Sequence, residues 1–210
     1  MELRMKNVQN NLSAVPSSYA KNNYGMVFML TVLAWRPHNC VELGSLHGYS
    51  TLHIAAGLRI VHGMFQHQGH LFVHDLWEDY PFNHGSMEDV QKRLNDAYLE
   101  EYVTLNKSEA FEVHKQWGHR SVHLLHVDLS NNGGTVRHVM DNWHMLLDMH
   151  GVIMFEGGSL ERDEVEWMKK FDKKPMHPEI INNKTLNDNY IYGTYEPFPS
   201  MTVCIKKDEK

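Results

Sequence analysis

The chain is predicted to be an α/β protein with a doubly wound, mostly parallel sheet, closed by a C-terminal antiparallel hairpin. Five short apolar runs, at 41–43, 69–76, 102–105, 122–127 and 151–155, alternate with amphipathic segments. Acids fall at the ends of these runs (Glu42, Asp75, Asp128 and Glu156), where an alternating α/β chain builds its site. The final third then changes character: 190–195 and 202–206 read as two strands, with Pro197 and Pro199 in their connection.

Each element has a local reason. Residues 1–18 are polar and asparagine-rich, end in Pro16-Ser17-Ser18, and read as a leader or lid. Ser17 or Ser18 caps a helix over 19–34, which Arg36-Pro37 ends. The strand 41–43 feeds a helix over 50–62, and the strand 69–76 carries Asp75 near its end. Ser86 caps a polar, amphipathic helix over 86–99. A strand at 102–105, a helix at 110–117 and a strand at 122–127 follow, the last ending at Asp128. The helix predicted over 134–149 places Val136, Val139, Met140, Trp143 and Leu147 on one face, as core residues. The strand 151–155 ends at Glu156, and a helix over 160–171 precedes the hairpin. No repeat or second domain is visible, so 1–210 reads as one domain: a leader to 18, a core over 19–172 and a hairpin region over 173–210.

Composition narrows the function. The 210 residues are 42% hydrophobic and 22% charged, values of a soluble globular domain. A formal charge of −6 argues against nucleic-acid binding by phosphate neutralisation. The longest apolar run, 26–35, is about half of what a membrane span needs and lacks the features of a signal peptide. Cys40 and Cys204 carry no CxxC or zinc spacing and read as buried reduced thiols. A cytoplasmic protein acting on a small molecule is the expectation, with the apolar helix near 24–35 available to a second copy.

The chemistry concentrates in Asn39-Cys-Val-Glu-Leu-Gly-Ser-Leu-His-Gly-Tyr-Ser50. Glycines at a strand-to-helix turn let a ligand approach the backbone and meet the helix N-terminal N–H groups. The spacing Gly44-x-x-x-Gly48 lacks the dinucleotide fingerprint and the P-loop lysine. An acid two residues before the first glycine points to a cationic, nucleoside-bearing ligand.

Five segments in order carry a family resemblance: Val-Glu-Leu-Gly-Ser-Leu-His-Gly-Tyr-Ser at 41–50, Val-His-Asp-Leu-Trp-Glu-Asp at 73–79, Val-His-Leu-Leu-His-Val-Asp at 122–128, Val-Arg-His-Val-Met-Asp-Asn-Trp at 136–143 and Gly-Val-Ile-Met-Phe at 151–155. Together they resemble class I S-adenosylmethionine-dependent methyltransferases, Rossmann-like in fold, and among them the small bacterial sugar and natural-product O-methyltransferases. The resemblance spans roughly 25–172 and implies a methyl transfer to a small polar acceptor, with S-adenosylmethionine as cofactor. It implies that Glu42, Gly44, Ser45, His47, Gly48 and Ser50 hold the cofactor's amino-acid portion. It further implies that Asp75 takes the ribose hydroxyls, that Leu76 and Trp77 pack on the sugar or adenine, and that Ser108 meets the adenine edge. Asp128 or His126 becomes the general base. A divalent cation such as Mg2+, held by Asp128 and Glu156, is the alternative way to activate the acceptor.

The catalytic half departs from that branch. Glu156-Gly157 stands where His-Asp is common, and Asn131 and Gly133 replace a His and a Tyr. These departures motivate a second reading, a cofactor-binding protein or an enzyme of other chemistry on the same fold. Simpler roles also exist: Glu42 satisfied by local donors, Asp75 as a cap, Asp128 sharing a cap with Ser130 and Asn131, and Glu156 as a loop acid. The sixteen histidines invite a metal-hydrolase reading with Asp128, through His67 and His70, or through His119, His123 and His126. Most fit surface or packed positions better, and His47, inside the glycine turn, is the exception.

Overall fold

The computed structural model of the chain describes residues 15–118 and 121–208. They fall into two compact units, divided between Ala110 and Phe111. The part of the leader at 1–14 and His119 lie outside the described residues.

In the first unit, Ser17 acts as the predicted cap: its hydroxyl accepts from the Tyr19 N–H. The turn it starts is only a 3₁₀ segment, Ser18–Asn22. Asn23 then takes a left-handed conformation, and helix α1 runs from Tyr24 to Trp35 rather than from 19. Asparagine tolerates that conformation, which is why the break falls there. Strand β1 (Asn39–Leu43) leads into helix α2 (Tyr49–Phe65), followed by β2 (His70–Asp75). Helix α3 (Met87–Ala97) starts at Ser86, whose hydroxyl accepts from the Asp89 N–H. Strand β3 (Val103–Lys107) completes a parallel sheet in which β2 lies between β1 and β3. Leu71 and Val73 of β2 are fully buried, each such side chain contributing about 1.5–3 kcal/mol.

In the second unit, a 3₁₀ turn Ala110–Glu112, which begins at the last residue of the first, enters the short helix α4 (Val113–Trp117). Strand β4 is Val122–Val127, as predicted. Helix α5 (Gly133–Asn142) buries Val136, Val139 and Met140, and Trp143 just beyond it is also buried. It stops seven residues short of the predicted end. Leu147 belongs instead to strand β5 (Leu147–Glu156). Its Cα pairs with Val122 while Val152 pairs with Leu124, so five steps on β5 face two on β4. The extra residues bulge out through His150, at φ 60°.

The helix predicted over 160–171 is two pieces, α6 (Leu160–Asp163) and α7 (Glu166–Lys170), parted by extended backbone at Val165. Two further helices, α8 (Met176–Asn182) and α9 (Lys184–Asn189), fill a stretch with no sequence assignment. The hairpin is present as β6 (Tyr190–Tyr195) and β7 (Met201–Lys206), with β7 antiparallel to both β5 and β6. Buried Lys206 ties it down by donating to the carbonyls of His144 and Leu147 at 2.9 and 2.8 Å. Cys40 and Cys204 are buried free thiols, and burial pushes both pKa values up. Among the described residues no helix is long and apolar enough to cross a membrane.

Candidate functional site

In the first unit the end of β1 is locked to the start of α2. Glu42 is fully buried, and its two carboxylate oxygens accept from the hydroxyls of Ser50 and Thr51. Thr51 has its proton committed to Glu42, so the Ser45 hydroxyl, 2.7 Å away, donates to Thr51. Thr51 was missed in the sequence; the signal was a second hydroxyl beside Ser50 on the first turn of a helix.

The turn between them passes through Gly48 at φ 82°, where a Cβ would lie 2.9 Å from a methyl of Val90. Only glycine meets both demands cheaply. Gly48 is also the N-cap of α2 and supplies no side-chain acceptor, so the helix begins with its first-turn N–H groups uncapped by a side chain. His47 is half-buried, and its carbonyl accepts from Arg93 at 2.7 Å.

Asp75 joins this turn to the end of β2. Its Oδ2 accepts from the N–H groups of Ser45 and Leu46 at 2.7 and 3.2 Å, and its Oδ1 from the Trp77 N–H at 2.8 Å. A carboxylate offers about four lone-pair positions, so roughly one remains, on Oδ1. Beside it, the Ser108 N–H donates to the Asp75 carbonyl at 3.0 Å, and the Ser108 hydroxyl meets Nδ1 of His74 at 2.8 Å. Burial lowers the His74 pKa to about 4, which keeps the ring neutral.

Glu42, Ser45, Gly48, Ser50, Asp75 and Ser108 are thus brought together by direct hydrogen bonds or by the turn they share. Leu76 is half-buried between Asp75 and Trp77. Trp77 is a correction: the indole is fully buried and donates to the Asn106 carbonyl at 3.0 Å, so it packs inside the unit and presents no face to a ligand.

In the second unit, Asp128 follows β4 and is half-buried, whereas His126 within the strand is fully buried. The cap of α5 is Asn132, whose side-chain oxygen accepts from the Gly134 N–H at 2.8 Å, rather than Asp128, Ser130 or Asn131. Asn131 is fully buried and donates to the carbonyls of Val127 and Glu156 at 2.8 and 2.9 Å, bridging the ends of β4 and β5.

Glu156 is neither a solvated loop acid nor an available metal ligand. Arg162 grips it with a two-point fork, Nε to Oε1 at 2.7 Å and Nη2 to Oε2 at 2.8 Å. The chain reaches back because Gly157 and Gly158 turn through φ 99° and 107°, after which Ser159 caps α6. A Cβ on Gly158 would sit 2.0 Å from the Thr202 hydroxyl. Sequence reasoning missed Arg162; the signal was a Gly-Gly-Ser turn that returns an arginine to a strand-end acid. The divalent cation proposed on Asp128 and Glu156 therefore does not fit: each Glu156 oxygen already accepts from a guanidinium whose charge would repel it. Among the described residues no group of three or more His, Cys, Asp or Glu is arranged to hold a metal.

A model of a methyltransferase domain matches residues 41–156, from within β1 to the end of β5. No curated protein matches the chain. Solved structures share the fold. A provisionally described O-methyltransferase from Klebsiella pneumoniae superimposes with a TM-score of 0.70 at 16% identity, over 98% of this chain and 90% of its own. The O-methyltransferase TomG from Streptomyces achromogenes, solved with S-adenosylmethionine, gives 0.65 at 14%, over 97% and 96%. An O-methyltransferase from Bacillus cereus, solved with S-adenosylhomocysteine, gives 0.63 at 17%, over 98% and 89%. The fold is the doubly wound, mostly parallel sheet with its antiparallel closing hairpin, and the chain belongs to the methyltransferase-domain family.

Proposed function

We propose that the chain transfers the methyl group of S-adenosylmethionine to an oxygen of a small polar acceptor, a hydroxyl on a sugar or natural product. The observation that carries the cofactor side is the turn at Gly48. There an uncapped helix start, a close glycine approach and the Asp75 carboxylate converge. A ligand carboxylate suits the helix N–H groups. The Oδ1 of Asp75 has room for one ribose hydroxyl, and Ser108, fixed by His74, suits the adenine edge. Oxygen as the acceptor atom is supported by the O-methyltransferases among the similar structures, one of them named for a role in tomaymycin synthesis.

Bound in this way, the sulfonium supplies an electrophilic methyl carbon. What the chain must add is an aligned acceptor and a place for its proton. Asp128, half-buried at the end of β4, is the base we assign; the buried His126 is given a packing role.

Calorimetry tests this. S-adenosylmethionine and S-adenosylhomocysteine should both bind, and the absence of binding by either at high micromolar concentration would overturn the proposal. Asp75→Ala should weaken that binding about tenfold or more. Asp128→Ala should leave binding unchanged and lower turnover on a panel of hydroxyl acceptors by roughly 10²–10⁴-fold.

A further inference from the structure

Arg162 is a buried cation whose donors are only partly used. Its side chain is 4% exposed, and the fork to Glu156 uses Nε and Nη2. Its Nη1 is also buried, with no hydrogen-bond partner among the described residues. The guanidinium carbon lies 4.6 Å from the centre of the Trp167 ring. A second acid stands beside the first. Val127 pairs with Phe155 in the parallel register, so Asp128, just past the end of β4, and Glu156, the last residue of β5, directly follow a paired position. Burial disfavours the guanidinium charge, but the hydrogen bonds and charge of Glu156, aided by the charges of Asp128 and Asp163, outweigh it and hold the pKa above its ordinary value.

We propose that Arg162 is the resident cation of the Asp128–Glu156 acid pair and fills the place a divalent metal would take. A fork-shaped guanidinium matches a carboxylate in two places, whereas Mg2+ or Ca2+ needs six or more oxygens around it. The sequence builds this arrangement locally: the glycine turn reverses the chain, Ser159 starts α6, and the sixth residue after Glu156 returns to it. The positive charge needed beside an acceptor losing its proton is then part of the protein. That last role rests on the methyl-transfer reading; the occupancy of the acid pair does not.

The test is a titration of the full chain with Mn2+, with free metal followed by electron paramagnetic resonance. The wild type should bind no Mn2+ up to about 1 mM, the range of weak protein sites. Arg162→Gln should gain one equivalent, Arg162→Lys, which keeps the charge, should gain none, and adding Asp128→Asn to Arg162→Gln should abolish the gain. One Mn2+ on the wild type would overturn the proposal, as would a folded Arg162→Gln that binds none. If circular dichroism shows Arg162→Gln unfolded, the wild-type titration decides together with turnover after EDTA. That turnover should be unchanged, and its loss on chelation would overturn the assignment. If no acceptor is ever methylated while the Mn2+ results hold, the methyl-transfer reading fails and the cation assignment stands.

Discussion

After β1, Glu42 is followed by Gly44 and Gly48 and accepts from the hydroxyls of Ser50 and Thr51 on the next helix. After β5, Glu156 is followed by Gly157 and Gly158 and accepts from the guanidinium of Arg162 on the next helix. Both turns use a buried glutamate to pin a strand end to the helix that follows. The donors differ in kind. Neutral hydroxyls shape the first turn and leave the helix N-terminus available to a ligand. A full positive charge fills the second, neutralises its acid and repels any other cation. Two segments that read alike as acid, glycines and helix therefore do different jobs, and the donor that comes back to the acid decides which.

The largest effect should come from removing the charged donor. Arg162→Met leaves Glu156 buried without its partner and should destabilise the protein by about 3–5 kcal/mol in urea denaturation. A loss below about 1 kcal/mol would erase the contrast between the turns. A smaller effect is expected at the first turn. Thr51→Val removes one neutral donor to Glu42 and should cost about 1–3 kcal/mol. A cost equal to that of Arg162→Met would mean the two acids are held alike.

The smallest effect per step of measurement, at most about 1.4 kcal/mol per pH unit, separates the turns by pH. The His74 carbonyl accepts from the Gly44 N–H at 2.9 Å, so this histidine supports the first turn. Burial lowers its folded pKa to about 4 from 6.5, so the unfolded chain binds the proton more readily. The stability it lends is complete above about pH 6.5 and is lost as pH falls towards 4. Burial also lowers His53, His67, His70 and His138, which act in the same direction. His74→Gln should flatten the slope by up to about tenfold in the folding equilibrium per pH unit, read from denaturation at stepped pH. An unchanged slope would remove His74 from the account.

Much of the architecture was legible because its signals are local. Val122–Val127 and Tyr190–Tyr195 have the predicted bounds, since apolar runs between turn residues define strands directly. The turn at Gly44 and Gly48 was legible because a left-handed backbone demands glycine. What failed depended on which partner the folded chain brings to a residue. Leu147 sits at helical spacing after Trp143, yet pairing with Val122 draws it into a strand. Trp77 beside Asp75 looked like a ligand platform, yet its N–H reaches the Asn106 carbonyl and takes it inside. Glu156 looked like a metal ligand because the Gly157-Gly158-Ser159 turn was not read as one that returns Arg162 to it. Helices α8 and α9 were invisible because each is only one or two turns long, with Met176 and Ile180 the buried pair of α8 and Leu186 the one buried residue of α9, too few to show a period.

Asn131 carries a consequence for how the second unit can respond to an acceptor. Its amide spans the carbonyls of Val127 and Glu156 and acts as a crossbar between two strand tips. The tips cannot splay without giving up at least one of these two buried hydrogen bonds. The backbones bearing Asp128 and Glu156 are therefore held at one separation, like the jaws of a fixed-gap gauge. On the proposed methyl-transfer reading, an acceptor received beside Asp128 must suit that fixed spacing.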